Sequence, residues 1–469
     1  MRFSELDGAT VGVWGAGREI RSFAGQLSRR LPSARIAVVA FDAAPPTDIG
    51  ETLAAPGARI VSVTGDDADS GSRARADTDV VAALRECDVV VRSPGVSIHR
   101  PELRALREAG VRVTTATSLW LAEREGRGVI GVTGTKGKST TAALACHLAR
   151  AAGRTAHLAG NIGVPALDLL DGDPSDMAVV ELSSYQISDL ATGPEVAVIT
   201  SLFREHLDWH GSEQAYRAEK LRILGLPGVR ATVVGARSEE LVAAAGSGTG
   251  VTLYGTPDGW DATPSGVALR GEIVVPAAEL PLPGEHNALN LCAARAALEA
   301  FGLAPPPLPR ALHGFRGLPH RLETVAEREG VLWVDDSIST TPESTLAALA
   351  SFPGRDVVLI GGGQDRGQDY AELGRALAER KAAVVGLPST GPRLIAAARE
   401  AGVPPVRAIE ASDMAAAVAL ASSLASPGAV VLLSPAAPSY DNYRDFEERG
   451  ECFRALVCPG QAPQALSGA

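Results

Sequence analysis

The sequence predicts an α/β protein made of three αβ blocks with mostly parallel sheets, and two observations carry that reading. Short β-branched runs recur along the chain, each followed by a small-residue turn and then a helical pattern, as expected of buried strands in βαβ units. The chain has 469 residues, and at roughly 100–200 residues per domain that length accommodates two to four domains. No fixed short repeat appears, which excludes a solenoid.

The strand-like runs are Thr10–Trp14, Ile36–Phe41, Val89–Val91, Val129–Val132, Ala178–Glu181, Val196–Thr200, Val331–Val334, Val357–Ile360, Ala383–Val385 and Val430–Leu433. They divide into blocks at 1–126, 127–316 and 317–469, the first break falling in the charged stretch Glu123–Arg127. Within the second block, Thr252–Leu282 reads as short alternating segments of a small antiparallel sheet. The last residues, Pro459–Ala469, are small and polar and read as a frayed tail.

Hydrophobic residues make up 45% of the chain and charged residues 21%, the mixture of a globular protein with room for several cores. Lys and Arg number 44 against 55 Asp and Glu, a net charge of −11, so nucleic acid is not an expected partner. A polyanionic ligand would need local donors and a metal. Five scattered cysteines without a Cys-x-x-Cys pair point to reduced thiols, with neither a disulfide framework nor a zinc site. The first residues carry charge without an apolar signal core, and no apolar run approaches 18 residues. A soluble cytoplasmic protein, with no membrane partner, is expected.

The sharpest local signal is Gly131–Thr140, with Gly134, Thr135, Lys136, Gly137, Lys138, Ser139 and Thr140 between a strand and an Ala/Leu-rich helix. Glycines let backbone N–H groups turn toward phosphate oxygens at a helix N-terminus, where the helix dipole adds attraction. Lys138 can reach the outer phosphates, and the Ser139 or Thr140 hydroxyl can hold Mg²⁺. The standard spacing asks for glycine at Val132, so this is a variant loop. A second glycine turn, Gly15-Ala16-Gly17, follows the first strand, with Asp42 after the next. Ile20 stands where a dinucleotide fold would have glycine.

Polar clusters at other strand ends complete the picture. Glu181-Leu-Ser183-Ser184-Tyr185-Gln186 and Arg204-Glu205-His206-Leu-Asp208 put carboxylates and an imidazole where αβ proteins bind ligands, a set that suits Mg²⁺ or Mn²⁺ better than zinc. Gly284-Glu285-His286-Asn287-Ala-Leu-Asn290 opens a helix with two amides one turn apart. Asp335–Thr341 and Gly361–Arg366 each follow a strand.

Together these segments resemble the Mur ligase family of cell-wall enzymes, and within it the branch that adds glutamate. The motifs are TGTKGKST (133–140), AGNIGVP (159–165), ELSSYQ (181–186), REHLD (204–208), YRAEKLRI (216–223), GEHNALN (284–290), GLPHRLE (317–323) and LLSPAAPSYDNYRDFEERG (432–450). The resemblance implies a Rossmann-like first domain for the uridine diphosphate, a central P-loop ATPase domain and a Rossmann-like third domain for the amino acid. It implies ATP-dependent joining of glutamate to UDP-N-acetylmuramoyl-L-alanine through an acyl phosphate, by a monomer. Glu181 and His206 match the family's metal ligands, and Lys220 matches a lysine carbamylated by CO₂ to hold a second metal. Asn161, with Ser183 and Gln186, falls near the muramoyl substrate. Asn287 and Asn290 match the adenine side, and Arg321 and Asp336 match residues around ribose and γ-phosphate. Thr340, Arg366, Ser439 and Phe446 fall where the incoming glutamate is held.

Four positions depart from the family pattern. Ile338 replaces a lysine of the glutamate region, and Arg366 stands where lysine is usual, a planar fork in place of a point charge. Lys136 replaces an asparagine, and Gly17-Arg18-Glu19 departs from the usual uridine turn. The run DDSISTTP resembles a branch that uses L-glutamate, with D-glutamate as the alternative. A non-catalytic nucleotide-binding module would have lost Lys138, Glu181, His206 or Lys220, and all four are present.

Overall fold

A computed structural model describes residues 1–42, 53, 55, 57–62, 79–203, 207–210, 212–282 and 284–459. The chain forms two compact units, one spanning Met1–Phe315 and one beginning at Arg316. Of the expected frayed tail, all but Pro459 lies outside the described residues.

The first unit opens with β1 (Thr10–Trp14), β2 (Arg35–Phe41), β3 (Arg59–Ser62), β4 (Val89–Arg92) and β5 (Arg112–Thr114). These pair in the order β3-β2-β1-β4-β5, every pair parallel. The helix Arg18–Arg30 covers the sheet with Ile20, Phe23, Ala24 and Leu27, a spacing that places all four on one face.

A second sheet follows from β6 (Val129–Thr133), β7 (Ala156–Gly160), β8 (Met177–Glu181), β9 (Val196–Ile199), β10 (Ala231–Gly235) and β11 (Val251–Tyr254). Its order is β11-β10-β9-β6-β8-β7, again wholly parallel. The helices Lys138–Ala151 and Glu285–Ala300 pack against one another. Alanine is the commonest buried residue of both, beside two leucines, a cysteine and small polar residues, and such small side chains let helix backbones approach closely. A three-stranded antiparallel sheet, β12 (Trp260–Thr263), β13 (Gly266–Leu269) and β14 (Glu272–Pro276), lies beyond β11. The expected antiparallel stretch from Thr252 is therefore corrected at its start. Val251–Tyr254 is the parallel edge of the larger sheet, and alternation along an edge strand looks the same in either pairing.

The second unit holds β15 (Glu323–Arg328), β16 (Val331–Asp335), β17 (Val357–Gly361), β18 (Ala383–Gly386), β19 (Ala408–Glu410) and β20 (Val430–Leu433). The order is β15-β16-β20-β17-β18-β19, with only the β15–β16 pair antiparallel. Glu329 and Gly330 join that hairpin, both with positive φ, as a two-residue turn matched to the strand twist requires. Among the described residues all five cysteines are free, and no helix is long and apolar enough to cross a membrane.

One buried charge anchors the first unit. Arg92 ends β4 with its side chain wholly buried, and its Nε donates to Asp189 Oδ2 at 2.6 Å. The rest of the guanidinium donates to the carbonyls of Ser93, Pro94, Val96 and Tyr185. Removing one member of such a buried pair costs about 3–5 kcal/mol, and the Asp189 carboxylate would keep, among the described residues, only its longer contact to Arg107, at 3.5 Å. Arg92→Met should therefore lower stability to urea by about that amount. Adding Asp189→Leu to Arg92→Met should recover part of the loss, and an additive double variant would show that the pair is not coupled.

Candidate active site

Because β6, β8 and β9 run parallel, their C-terminal ends meet at one edge of the sheet. The loop after β6 sits at the middle of that edge. Gly134 and Gly137 both have positive φ, and a Cβ would collide with Thr200 Oγ1 at the first and with the Asn290 side-chain oxygen at the second. Only glycine fits this path. The loop is braced by the residues just after β9: the Thr200 and Ser201 hydroxyls donate to the Lys136 carbonyl at 2.6 and 3.0 Å. The Lys136 N–H donates to Ser201 Oγ, and the Thr135 N–H to the Ser201 carbonyl. Lys138 opens the helix and donates through Nζ to the Thr135 carbonyl at 2.9 Å. Beside it on the first turn, Ser139 is buried and Thr140 half-buried.

The helix Glu213–Leu221 grips the same loop from one side. Its Tyr216 hydroxyl lies 2.8 Å from Thr135 Oγ1, and one turn later Lys220 Nζ donates to the Gly134 carbonyl at 2.9 Å. Both side chains are buried, and the Lys220 ammonium lies 5.0 Å from the Tyr216 ring centroid.

Glu181 ends β8 beside the loop and is 1% exposed. Asn161 donates its side-chain amide to Glu181 Oε1 at 2.8 Å and its backbone N–H to the Glu181 carbonyl. Glu181 Oε2 is buried with no hydrogen-bond partner among the described residues. A buried carboxylate oxygen left open beside a phosphate loop fits a hard cation, and the surrounding set offers oxygen donors. Two residues on, Ser183 and Gln186 close a capping box: Gln186 Oε1 accepts from the Ser183 N–H and hydroxyl, and Ser183 Oγ accepts from the Gln186 N–H. His206 lies outside the described residues, as do Arg204, Glu205 and the Asp208 side chain.

Asn287 and Asn290 share a helix face, with Asn290 Nδ2 donating to Asn287 Oδ1 at 3.3 Å. Asn290 Oδ1 also accepts from Thr141, which ties this helix to the phosphate-loop helix. In the first sheet, Gly17 precedes the helix Arg18–Arg30, and Asp42 accepts from Trp14 Nε1 and Arg100.

The second unit carries its own polar cluster at strand ends. Asp336 follows β16, buried, accepting from the Leu322 N–H at 3.1 Å and the Ser434 hydroxyl at 2.8 Å. Burial pushes its carboxyl up to about 6, against the pull of Ser339, Ser434 and the nearby Arg321 charge. Thr340 and Ile338 are half-buried on the same loop. Arg366 is exposed over the Tyr440 ring at 5.8 Å, with its Nε bonded to Gln364. Ser439 is buried beside Tyr440, and Phe446 gives its carbonyl to the Ser337 hydroxyl. His320, Glu323 and Asp335 bring ligand-type atoms within 4.8 Å of one another. Their bonds already go to protein partners: His320 Nδ1 to Asp335 at 2.7 Å and Glu323 to Arg454 at 2.6 Å.

Sequence reasoning singled out Lys138, Glu181, Asn161 and Lys220, and the structure brings all four to one edge of the second sheet. It missed the bracing by Thr200, Ser201 and Tyr216, and Arg18, which donates to three carbonyls around Asn161. The only hints were the presence of Tyr216 within YRAEKLRI, Thr200 at the end of a strand-like run, and Arg18 in a turn that departs from the family pattern.

Comparison with known proteins identifies the family. The Mur ligase middle domain family matches residues 132–298, and the family described as Mur ligase, glutamate ligase domain matches residues 320–437. A UDP-N-acetylmuramoyl-L-alanine–L-glutamate ligase of Micromonospora sp. is 43% identical, over 97% of this chain and 98% of its own length. One of the same name from Xanthomonas axonopodis pv. citri is 40% identical, over 100% of this chain and 98% of its own. Among solved structures, a UDP-N-acetylmuramate–alanine ligase of Thermotoga maritima shares the fold with a TM-score of 0.56 at 20% identity, covering 95% of this chain and 98% of its own. The MurF ligase of Thermotoga maritima in complex with ADP gives a TM-score of 0.55 at 18% identity, over 97% and 96% of the two chains. With full-length relatives at this level of identity and a phosphate loop, acidic strand end and buried lysine in place, the chain belongs to the Mur ligase family.

Proposed function

We propose that this chain is an ATP-dependent, ADP-forming ligase that adds glutamate to UDP-N-acetylmuramoyl-L-alanine in peptidoglycan precursor synthesis. The observation that carries the reading is the gathering of Lys138, Glu181 and Lys220 at the C-terminal edge of β6 and β8, around a loop shaped for phosphate. The names of the full-length relatives support the substrates. The γ-phosphoryl group passes from ATP to the substrate carboxylate, giving an acyl phosphate and ADP. The glutamate amine then attacks the acyl carbon, the carbon–oxygen bond to phosphate breaks, and the amine proton is released. Phosphoryl transfer needs positioning and charge neutralisation more than covalent help, and Lys138 at the helix start supplies a fixed positive charge.

Glu181 with its open oxygen, Ser139 or Thr140, and His206 are the residues that would hold Mg²⁺ or Mn²⁺. Such an ion would neutralise phosphate charge. Lys220 would join them as a carbamate: its neutral amine adds to CO₂ and loses a proton, turning a cation into an anion. Asn287 and Asn290 would serve the adenine side, Arg321 and Asp336 the ribose and γ-phosphate. Thr340, Arg366, Ser439 and Phe446 would serve the glutamate. The functional domains would be 1–126 for the uridine nucleotide, 127–316 for ATP and 317–469 for the amino acid, in a monomer working in the cytoplasm.

L-glutamate is the enantiomer this reading favours. With the amine and one carboxylate fixed, inverting the α-carbon moves the other carboxylate, so the pocket must move its cation. Here Ile338 has no charge and Arg366 offers a fork.

Three experiments test the reading. Lys138→Ala should lower kcat by roughly 10²–10³-fold or more while circular dichroism stays native, and normal turnover would remove the phosphate-loop assignment. Lys220→Ala should be nearly inactive and regain part of its turnover in acetate or formate. Wild-type activity without added acid would leave Lys220 a packing residue. Phosphate release with each glutamate enantiomer on UDP-N-acetylmuramoyl-L-alanine should show a higher kcat/KM for L-glutamate by roughly 10- to 100-fold. Ile338→Lys should erode that preference, and a clear preference for D-glutamate would overturn the L-specific reading.

A further inference from the structure

The turn that departs from the usual uridine pattern, Gly17-Arg18-Glu19, does something the proposed chemistry has not used. The Arg18 guanidinium donates to three carbonyls of the loop after β7: Gly163 at 2.9 Å, Asn161 at 3.0 Å and Gly160 at 3.1 Å. That loop carries Asn161, whose side chain holds Glu181 Oε1 and whose N–H holds the Glu181 carbonyl. The next residue works on the other side of the same strand end. Glu19 Oε1 accepts from Gln186 Nε2 at 2.6 Å, and Glu19 Oε2 accepts from the Thr117 hydroxyl at 3.1 Å. Gln186 in turn closes the capping box on Ser183, two residues after Glu181. Burial pushes the Glu19 carboxyl above its ordinary range, against the pull of Gln186, Thr117 and Arg18.

We propose that Arg18 and Glu19 are positioning residues, a double latch from the first sheet that fixes the orientation of Glu181 through Asn161 on one side and Gln186 on the other. This rests on the reading of Glu181 as a working carboxylate. The geometry explains why two adjacent residues of opposite charge are needed. A planar guanidinium spreads its donors over two terminal nitrogens in a fixed fork, reaching three carbonyls of one loop, where an ammonium offers its donors from a single point. A carboxylate can accept from an amide and a hydroxyl at once, which fixes Gln186 with its Nε2 turned away from the capping box. Elsewhere along its length the same helix is docked independently. Ser22 donates to Asp168, Gln26 to Asp171, and Arg29 and Arg30 pair with Asp171. Losing the latch should therefore loosen the loop without detaching the helix.

Hydrogen-bond partners of a metal ligand typically cost 10- to 100-fold when removed, and Arg18 holds the backbone of one such partner, Asn161. Arg18→Ala should accordingly lower kcat by roughly 10- to 100-fold while KM for the uridine nucleotide moves by less than about 3-fold. Arg18→Lys should fall between wild type and alanine, and Glu19→Gln should show a smaller loss. An activity-independent arm separates positioning from plain structure. Hydrogen exchange of amides 160–164 should speed up in Arg18→Ala, with amides 22–30 as protected as in wild type. Mn²⁺ binding in the presence of ADP, read by electron paramagnetic resonance, should weaken by a similar factor to kcat. Faster exchange across both segments would make Arg18 a merely structural residue and overturn the proposal. So would unchanged exchange, or wild-type kcat in Arg18→Ala. If the wild-type protein shows no ligase activity, the functional reading fails, while the exchange arm still decides the latch.

Discussion

The parallel pairing of β6 with β8 on one side and β9 on the other is the constraint on which the candidate site depends. Parallel strands deliver all their C-terminal ends to one edge, so residues far apart in sequence arrive there without special loops. Val132 lies in register with Glu181, and Thr133 with Ile199, so the phosphate loop leaves the sheet with an acid on one flank and Thr200-Ser201 on the other. Slipping β8 by one residue would turn the Glu181 side chain to the opposite face of the sheet.

Around that edge the structure economises on charge. The phosphate loop is fixed chiefly by hydroxyls and backbone carbonyls, with Thr135, Thr200, Ser201 and Tyr216 as neutral braces. Two lysines, Lys138 and Lys220, point their ammonium groups at carbonyls of the same loop. In a chain with a net charge of −11, these two ammonium groups give the loop local positive charge, with the acid Glu181 on one flank. Arg92 follows the same rule in the first sheet, satisfied by four carbonyls and one carboxylate.

How much of this was readable depended on how local the signal was. Most central strands announced themselves through β-branched runs because they are buried on both faces, although Ala231–Gly235, inside the second sheet, was missed. Edge strands did not: Ala156–Gly160 and Ala408–Glu410 lack a Val/Ile run, and Glu323–Arg328 is charged because only one side of it is paired. The phosphate loop was legible because its chemistry is contained in eight consecutive residues. Its braces were not, since Thr200 and Ser201 reach it across 64 and 65 positions and Arg18 reaches Asn161 across 143. Gly17-Arg18-Glu19 showed only as a departure from a pattern, and no property of the tripeptide discloses what lies opposite it in space.

Glu181 has one further consequence. Its Oε1 is committed to Asn161, so only the buried Oε2 is left without a hydrogen bond, and the group can offer a single oxygen where a free carboxylate could offer two. A one-oxygen donor favours a small cation that keeps strict octahedral contacts and retains much of its water. It is ill suited to a larger ion such as Ca²⁺, which fills a roomier shell by chelating both oxygens of an acid. In the proposed function, Asn161 would act as a size filter by occupying half of this carboxylate, discriminating between ions of identical charge without contacting either.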